Sequence, residues 1–415
     1  MRVLLIATRD PYGRLSGRRA VLRTIVDSAR RLGHEVSVVA ITRDTPEAGP
    51  VPVEVLPPPS LPRIVANALT QAVTGRLCLN ECLYVSPTLR QAVARAATDF
   101  TADVVVADMV RTAPLALATG RPVVVDLDDL LSSRYRELSR GSTGDANLLG
   151  YYGSALPIPL RRVLTWLAAR SLALEALLVG RRERSVGAQA AAVSLVSEAE
   201  AADFERGLGR PVAWLPMAVT VPAVPAPVAT NQPGHLVFVG GLDYQPNLDA
   251  VRTYVREVAP ALAARGHGDV RLRVVGHCPP AVRAELERSA AVEVVGFVDD
   301  LAAELAAARA FVAPIPPGTG IKTKVLEAMA AGLPVVSTPA GVAGIGVRSG
   351  EHCLVGASGD ELAAAVVAVV TDADLAERLG GAARAVVADR FSAPVVTERW
   401  RAVLDRVTSP PADDS

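Results

Sequence analysis

Short, uninterrupted apolar runs alternating with helix-period segments constrain this 415-residue chain more than any other feature. An all-apolar run of about five residues bounded by turn signals is a strand buried on both faces. Such strands separated by helices build parallel sheets with helices on either side. The runs fall into two series. The first comprises residues 2–7, VSVVAI (36–41), DVVVAD (103–108) and PVVVDL (122–127). The second comprises HLVFVGG (235–241), RLRVVG (271–276), VEVVGF (292–297), AFVAPI (310–315), PVVST (334–338) and HCLVG (352–356). Between them, 216–233 carries five prolines and no charged residue, the composition of a semi-rigid linker. The expected architecture is α/β, with two doubly wound domains at 1–215 and 234–392 and a final helix and tail at 393–415. In sheets of this kind ligands bind beyond the C-terminal strand ends, so two such domains are expected to face each other across a cleft.

Local signals agree with that division. Val21, Leu22, Ile25, Val26, Ala29 and Leu32 recur at helical spacing after the first strand, and Gly33 is placed to end that helix. Residues 49–62 (GPVPVEVLPPPSLP) read as too proline-rich for either element and as a surface connection. The opening MRVLLIATRD has only five apolar residues in a row before charge, which suits a first strand better than a leader.

Composition narrows the function classes. Lys+Arg and Asp+Glu both number 43, for a formal net charge of zero, so no basic excess suggests nucleic acid. The four cysteines form one C-x3-C pair and two singles, neither a zinc spacing nor a disulfide framework. Reduced, buried thiols in a cytoplasmic protein are expected, without a stretch of membrane-spanning length. The five histidines show no ligand spacing. The first strand of the second series is followed by GGLDYQPN rather than G-x-G-x-x-G, which removes the main support for dinucleotide binding. No G-x4-G-K-[ST] or H-E-x-x-H pattern occurs either.

Charge chemistry does single out one segment. Arginine supplies nearly all the cationic side chains; the two lysines, Lys322 and Lys324, both lie in PIPPGTGIKTKVLEAMAAG (314–332). A lysine is a compact, flexible point charge where arginine is a planar fork, so a paired exception asks for a chemical reason. These two fall between a glycine-containing loop and an apolar helix start, where free N–H groups and the helix dipole attract anions. The combination suggests a phosphate site, with the backbone N–H groups of Gly320, Ile321, Lys322 and Thr323 completing a cradle.

Taken together, FVGGLDYQPNLDAV (238–251), VVGFVDDLAAELAAARAFVAPI (294–315) and GTGIKTKVLEAMAAGLPVVSTPAG (318–341) resemble retaining glycosyltransferases of group 1, family 4, with the two-Rossmann GT-B fold. VVVDLDDLLSSRY and R-V-L-x-W (162–166) extend the likeness into the first half, toward a polysaccharide or natural-product branch. The resemblance implies that Glu327 accepts hydrogen bonds from the nucleotide ribose, a task suited to an acceptor-only carboxylate. The family's partner glutamate, eight positions earlier, falls on Thr319, and its usual diphosphate-binding Arg and Lys fall on Gly241 and Asn247. With those charges absent, Lys322 and Lys324 become the candidates to neutralise the departing diphosphate, with Lys324 acting in catalysis. The resemblance also places Gly240 beside the donor, Gly296 and Phe297 beside the nucleobase, and the Thr8–Gly17 loop, with Gly13 and Gly17, over the phosphates. An ordinary turn for that loop and a core position for Phe297 are equally compatible with the letters.

Asp126, Asp128 and Asp129 spell D-L-D-D after a strand, where an acid could orient an acceptor hydroxyl. Asp128 and Asp129 are therefore catalytic candidates, although Asp129 also suits a helix cap. The same letters spell a D-x-D metal motif, but a GT-B architecture with lysines at the phosphates implies neither a metal nor an organic cofactor. The stretch 156–184, apolar with six arginines, could rest on an anionic bilayer inside the cell, although apolar residues at this spacing are more often domain core.

The expected activity is transfer of a sugar from a nucleotide diphosphate to a hydroxyl on a glycan, a lipid-linked or a small-molecule acceptor. A sugar-nucleotide epimerase and a silent nucleotide-binding partner of another transferase share the architecture. The missing Glu, Arg and Lys positions keep the latter in view.

Overall fold

The computed structural model describes residues 1–13, 17–72, 74–139, 158–223, 235–318 and 320–408, and the backbone alone for 158–171. The chain forms two compact units, Met1–Met217 with Val396–Ser415, and Ala218–Val395. Residues 224–234 of the proline-rich stretch, the tail from 409 and Thr319 lie outside the described residues.

The first unit opens with β1 (Arg2–Ala7), α1 (Gly17–Arg31), β2 (Glu35–Ile41) and β3 (Val53–Leu56). It continues through α2 (Leu61–Asn67), a π-helical turn (Ala68–Ala72), α3 (Leu79–Cys82) and α4 (Pro87–Asp99). Then come β4 (Val104–Asp108), α5 (Met109–Leu117), β5 (Val123–Asp126), α6 (Leu131–Ser139) and α7 (Ile158–Gln189). β6 (Ala192–Leu195), α8 (Glu198–Leu208) and β7 (Ala213–Trp214) complete the sheet. Its order is β3-β2-β1-β4-β5-β6-β7, with every pairing parallel. All five residues of β4 and all four of β5 are buried, as their apolar runs require. Strand order reverses between β1 and β4, the switch point where such sheets bind ligands.

Two corrections to the sequence expectation concern this sheet. Residues 49–62 contain β3, paired through Val38–Val53 to Ile41–Leu56. The flanking prolines are tolerated because β3 is an edge strand. β6 and β7 are additional strands; the alanines around β6 continue the composition of α7 and hide its period.

The second unit holds β8 (Leu236–Val239), α9 (Gln245–Thr253), a π-helical turn (Tyr254–Val258) and α10 (Ala259–Ala264). β9 (Leu272–Val275), α11 (Pro280–Leu286), β10 (Val292–Gly296), α12 (Leu301–Ala307) and β11 (Ala310–Ala313) follow. α13 (Thr323–Ala330), β12 (Val335–Ser337), α14 (Pro339–Val342), β13 (Leu354–Val355), α15 (Gly359–Thr371) and α16 (Ala373–Phe391) close it. The parallel order β10-β9-β8-β11-β12-β13 reverses between β8 and β11. α17 (Ala393–Thr408) carries the chain back, so that from Val396 it belongs to the first unit. There Arg399 lies 3.8 Å from the Trp214 ring centroid.

Candidate functional site

At the switch point of the second sheet, the backbone leaves β8 through Gly240 and Gly241. A Cβ on Gly240 would lie 2.7 Å from Asn247 Nδ2 and 2.9 Å from Lys324 Nζ, so a side chain there would push these two groups from their places. Gly276, at the end of β9, has φ +137°, and a Cβ there would meet the Gly240 carbonyl oxygen at 2.6 Å. The Gly276 N–H in turn donates to Gly296 O at 2.7 Å. Three neighbouring strand ends are thus brought together by glycines, and Gly296 itself has φ +94°.

Lys324 reaches this edge from the first turn of α13. Its ammonium donates to Asn247 Oδ1 and lies 4.8 Å from the centroid of the Phe238 ring. Asn247 Nδ2 donates onward to Gly241 O at 2.8 Å. Burial, reinforced by the charge of Lys322 and opposed by Glu327, pulls Lys324 down to about 8. Glu327 follows one turn later on α13; burial raises its carboxyl above the usual range, with Lys324 opposing. Lys322 does something else. Its ammonium donates to Gly318 O at 3.2 Å and Gly320 O at 2.6 Å, drawing the loop together where Gly320 adopts φ +77°. Gly320, Ile321, Lys322, Thr323, Lys324 and Glu327 therefore belong to one loop-and-helix terminus, and Gly240 to the strand end that Lys324 reaches. Phe297 is 75% exposed, which settles its packing: it is not a core residue.

The first unit contains a second charged cluster at its own switch point. The Arg18 guanidinium, in the first turn of α1, donates through Nε to Asp108 Oδ1 at 2.7 Å and through Nη2 to Asp126 Oδ2 at 3.0 Å. Its Nη1 lies 3.3 Å from Asp128 Oδ1. Asp108, at the end of β4, also accepts from Thr8 N at 2.7 Å and Thr8 Oγ1 at 2.6 Å. Burial opposes its ionisation, but Arg18 and the Thr8 hydrogen bonds outweigh that and hold it below the usual carboxylate range. Asp126, at the end of β5, accepts from Ser194 Oγ at 2.9 Å, and burial raises it nonetheless. Asp128 is driven up to about 6 by burial and its acidic neighbours, with Arg18 opposing. It holds φ +65°, a left-handed conformation that Asp tolerates better than most residues. Asp129 is buried and pairs with Arg134 of α6.

Sequence reasoning missed Arg18 and Asp108, and grouped Asp126 with Asp128 and Asp129 without seeing the cation that Asp126 and Asp128 share. Arg18 stands among Asp108, Asp126 and Asp128, where a metal held by D-x-D would compete with it. Among the described residues no group of three or more His, Cys, Asp or Glu has the arrangement of a metal site. Gly17 adjoins Arg18 at the start of α1, and a Cβ on Gly13 would meet the movable Arg19 guanidinium at 2.8 Å. Of the arginine-rich stretch 156–184, residues 156 and 157 lie outside the described residues, and of 158–171, R-V-L-x-W included, only the backbone is described. Among the described residues no helix is long and apolar enough to cross a membrane.

Two family models match the chain: one described as glycosyl transferases group 1, over residues 233–372, and a glycosyl transferase 4-like domain, over 16–217. Solved structures similar to it span nearly its whole length. Anabaena HepE in complex with UDP and glucose is 17% identical, with a TM-score of 0.62, covering 97% of this chain and 99% of that one. Sucrose-phosphate synthase from Thermosynechococcus elongatus is 16% identical, with a TM-score of 0.65 and 98% of each chain covered. S. aureus TarM, in a complex containing UDP, is 9% identical, with a TM-score of 0.63, covering 99% of this chain and all of that one. At these identities the likeness establishes the two-domain Rossmann-like fold. No curated protein sequence matches the chain.

Proposed function

The chain belongs to the group 1 glycosyltransferases, and from that premise we propose that it moves a sugar from a nucleoside diphosphate donor to an acceptor hydroxyl, with retention at the anomeric carbon. The observation that carries the donor assignment is Lys324, a half-buried ammonium at the N-terminus of α13 and the switch point of the second sheet. An arriving diphosphate finds there a cation and the N-terminus of a helix. The UDP present with HepE and TarM supports the same ligand class for this chain.

In this mechanism the anomeric C–O bond to phosphate breaks, and its electron pair stays on the leaving oxygen. Negative charge on the diphosphate grows as the sugar gains oxocarbenium character, so a fixed cation stabilises the transition state more than the bound donor. Lys324 is that cation, in place of the charges missing at Gly241 and Asn247. Lys322 shapes the loop through Gly318 and Gly320, and Glu327 accepts from the ribose hydroxyls. Gly240, Gly296, Phe297, Gly320, Ile321 and Thr323 border the donor. Asp128 orients the acceptor hydroxyl, whose oxygen forms the new bond while its proton passes to the leaving phosphate oxygen. Asp129, paired with Arg134, supports that position. Arg18 already supplies the positive charge among the aspartates, so the chemistry runs without a metal.

Proton NMR of reactions with UDP-, GDP- and dTDP-sugars and a panel of glycan, lipid-linked and small-molecule alcohols tests this. A new glycoside with the donor's anomeric configuration, formed together with free nucleoside diphosphate, is expected. A changed sugar still attached to nucleotide without acceptor would indicate an epimerase, and binding without turnover a silent partner.

A further inference from the structure

A helix on a globular domain ordinarily buries one face. α2 buries no residue at all, although Leu61, Ile64 and Val65 make it apolar. Leu61 is 71% exposed and Leu69, in the π-helical turn that continues it, 68%. With Val65 they recur every four residues, one stripe open to solvent.

The stripe has neighbours of the same character. Asn67 Nδ2, at the end of α2, donates to Val85 O at 2.7 Å and Cys82 O at 3.3 Å, tying α2 to the region of α3. Leu79, which opens α3, and Leu83, which directly follows that helix, are both exposed. The Leu79 N–H then donates to Glu175 Oε2 of α7 at 3.2 Å, beside Leu174, which is 59% exposed. On α7, Leu174, Leu177, Arg181 and Arg184 follow at intervals of three and four, so two leucines and two arginines share one exposed stripe.

The charges on this face have one sign. From Leu56 to Asn80 the charged residues are Arg63 and Arg76, and both are exposed. The acids of α3 and of the adjoining turn of α7, Glu81 and Glu175, are buried. Glu81 is held by Arg182, and Glu175 by the N–H groups at the start of α3. Apolar side chains rimmed by arginines with the acids turned inward complement an anionic bilayer, which offers acyl chains beneath negative headgroups. The face also adjoins the acceptor side of the site: Asn80 Nδ2 donates to Tyr135 OH of α6 at 2.9 Å, and α6 follows directly on Asp128 and Asp129.

We propose that the exposed face of α2, α3 and α7 docks the protein on an anionic lipid bilayer and that its acceptor is presented there on a lipid. The acceptor half of the proposal rests on the glycosyltransferase assignment; the docking half does not.

The test is co-sedimentation of the full chain with vesicles of phosphatidylcholine alone or with 30% phosphatidylglycerol, at low and high salt, without donor. Wild type should pellet with the anionic vesicles, less at high salt, and much less with neutral ones. A Leu69→Asp/Leu177→Asp variant should lose binding about tenfold, as should Arg63→Ser/Arg181→Ser, with unchanged melting temperatures. Equal pelleting with both vesicle types, no pelleting, or binding indifferent to both variants would overturn the docking face. So would a wild-type dimer in light scattering that Leu69→Asp/Leu177→Asp converts to monomer, since a second copy would then own the surface. Stabilisation by UDP, measured without vesicles, reads the transferase assignment separately. Vesicle binding without any nucleotide binding would keep the docking face and remove the lipid-borne acceptor.

Discussion

The Lys324 ammonium donates to Asn247 Oδ1, bringing the cation of α13 to the position where the resemblance places a missing basic side chain. Gly240 leaves room for this position, because a Cβ there would lie 2.9 Å from the ammonium and displace it. Replacing Lys324 with Ala should lower turnover about 10²–10³-fold, the usual loss when one fixed donor to a developing anion is removed. Lys324→Arg should not restore it, since a planar fork does not fit the space beside Phe238 and Asn247. Steady-state kinetics with one donor would check both variants.

The pH dependence of donor binding follows from the same lysine. Its pKa of about 8 is set by burial and Lys322, with Glu327 opposing, so the ammonium dominates below pH 8 and the neutral amine above. kcat/KM for the donor should therefore fall as pH rises through about 8. An anionic ligand favours the charged form, so donor binding at pH 8–9 should take up a proton, measurable by calorimetry in buffers of different ionisation enthalpy. In the unliganded protein the sign for stability is opposite. Between about 8 and 10.5 the unfolded chain binds the extra proton, so this group makes stability rise across that window.

Arg18 is expected to matter for folding before it matters for rate. Its guanidinium pairs with Asp108 and Asp126, whose side chains are 0% and 1% exposed. Arg18→Ala leaves two carboxylates buried without their cation and should cost about 3–5 kcal/mol. Urea unfolding followed by circular dichroism would show it, and an unchanged midpoint would mean that water replaces the guanidinium freely.

Asp128 separates folding from function. Asn tolerates the left-handed conformation at φ +65°, so Asp128→Asn should fold with little loss of stability. Its turnover should drop nonetheless, because an amide orients a hydroxyl less strongly than a carboxylate does. In wild type the carboxyl protonates below about 6, so turnover should decline as pH falls through that value. A variant with wild-type turnover would remove Asp128 from the mechanism.

The strands and the donor segment were legible in the sequence for physical reasons. β4 and β5 are buried throughout, so their residues carry an unbroken apolar signal. Lys324 stands out because lysine is scarce in an arginine-rich chain. β3 was obscured by its prolines, which an edge strand accepts, and β6 by the alanines that run on from α7. The Arg18 cluster left little trace, since its partners lie 90 and 108 residues away and an arginine here has no compositional weight. One signal was available: Arg18 and Arg19 occupy the first turn of α1, which contains no acid, although a helix N-terminus repels cations. A cation held against the dipole implies buried anions nearby, and Asp108, Asp126 and Asp128 are those anions.

The most direct test of the donor assignment is thermal stability of wild type and Lys324→Ala with UDP, GDP and dTDP and their sugars. One nucleotide class should raise the wild-type melting temperature by several degrees, and most of this shift should be lost in the variant. An equal shift in both proteins would contradict the donor assignment, because the nucleotide would then be held without the lysine on which that assignment depends.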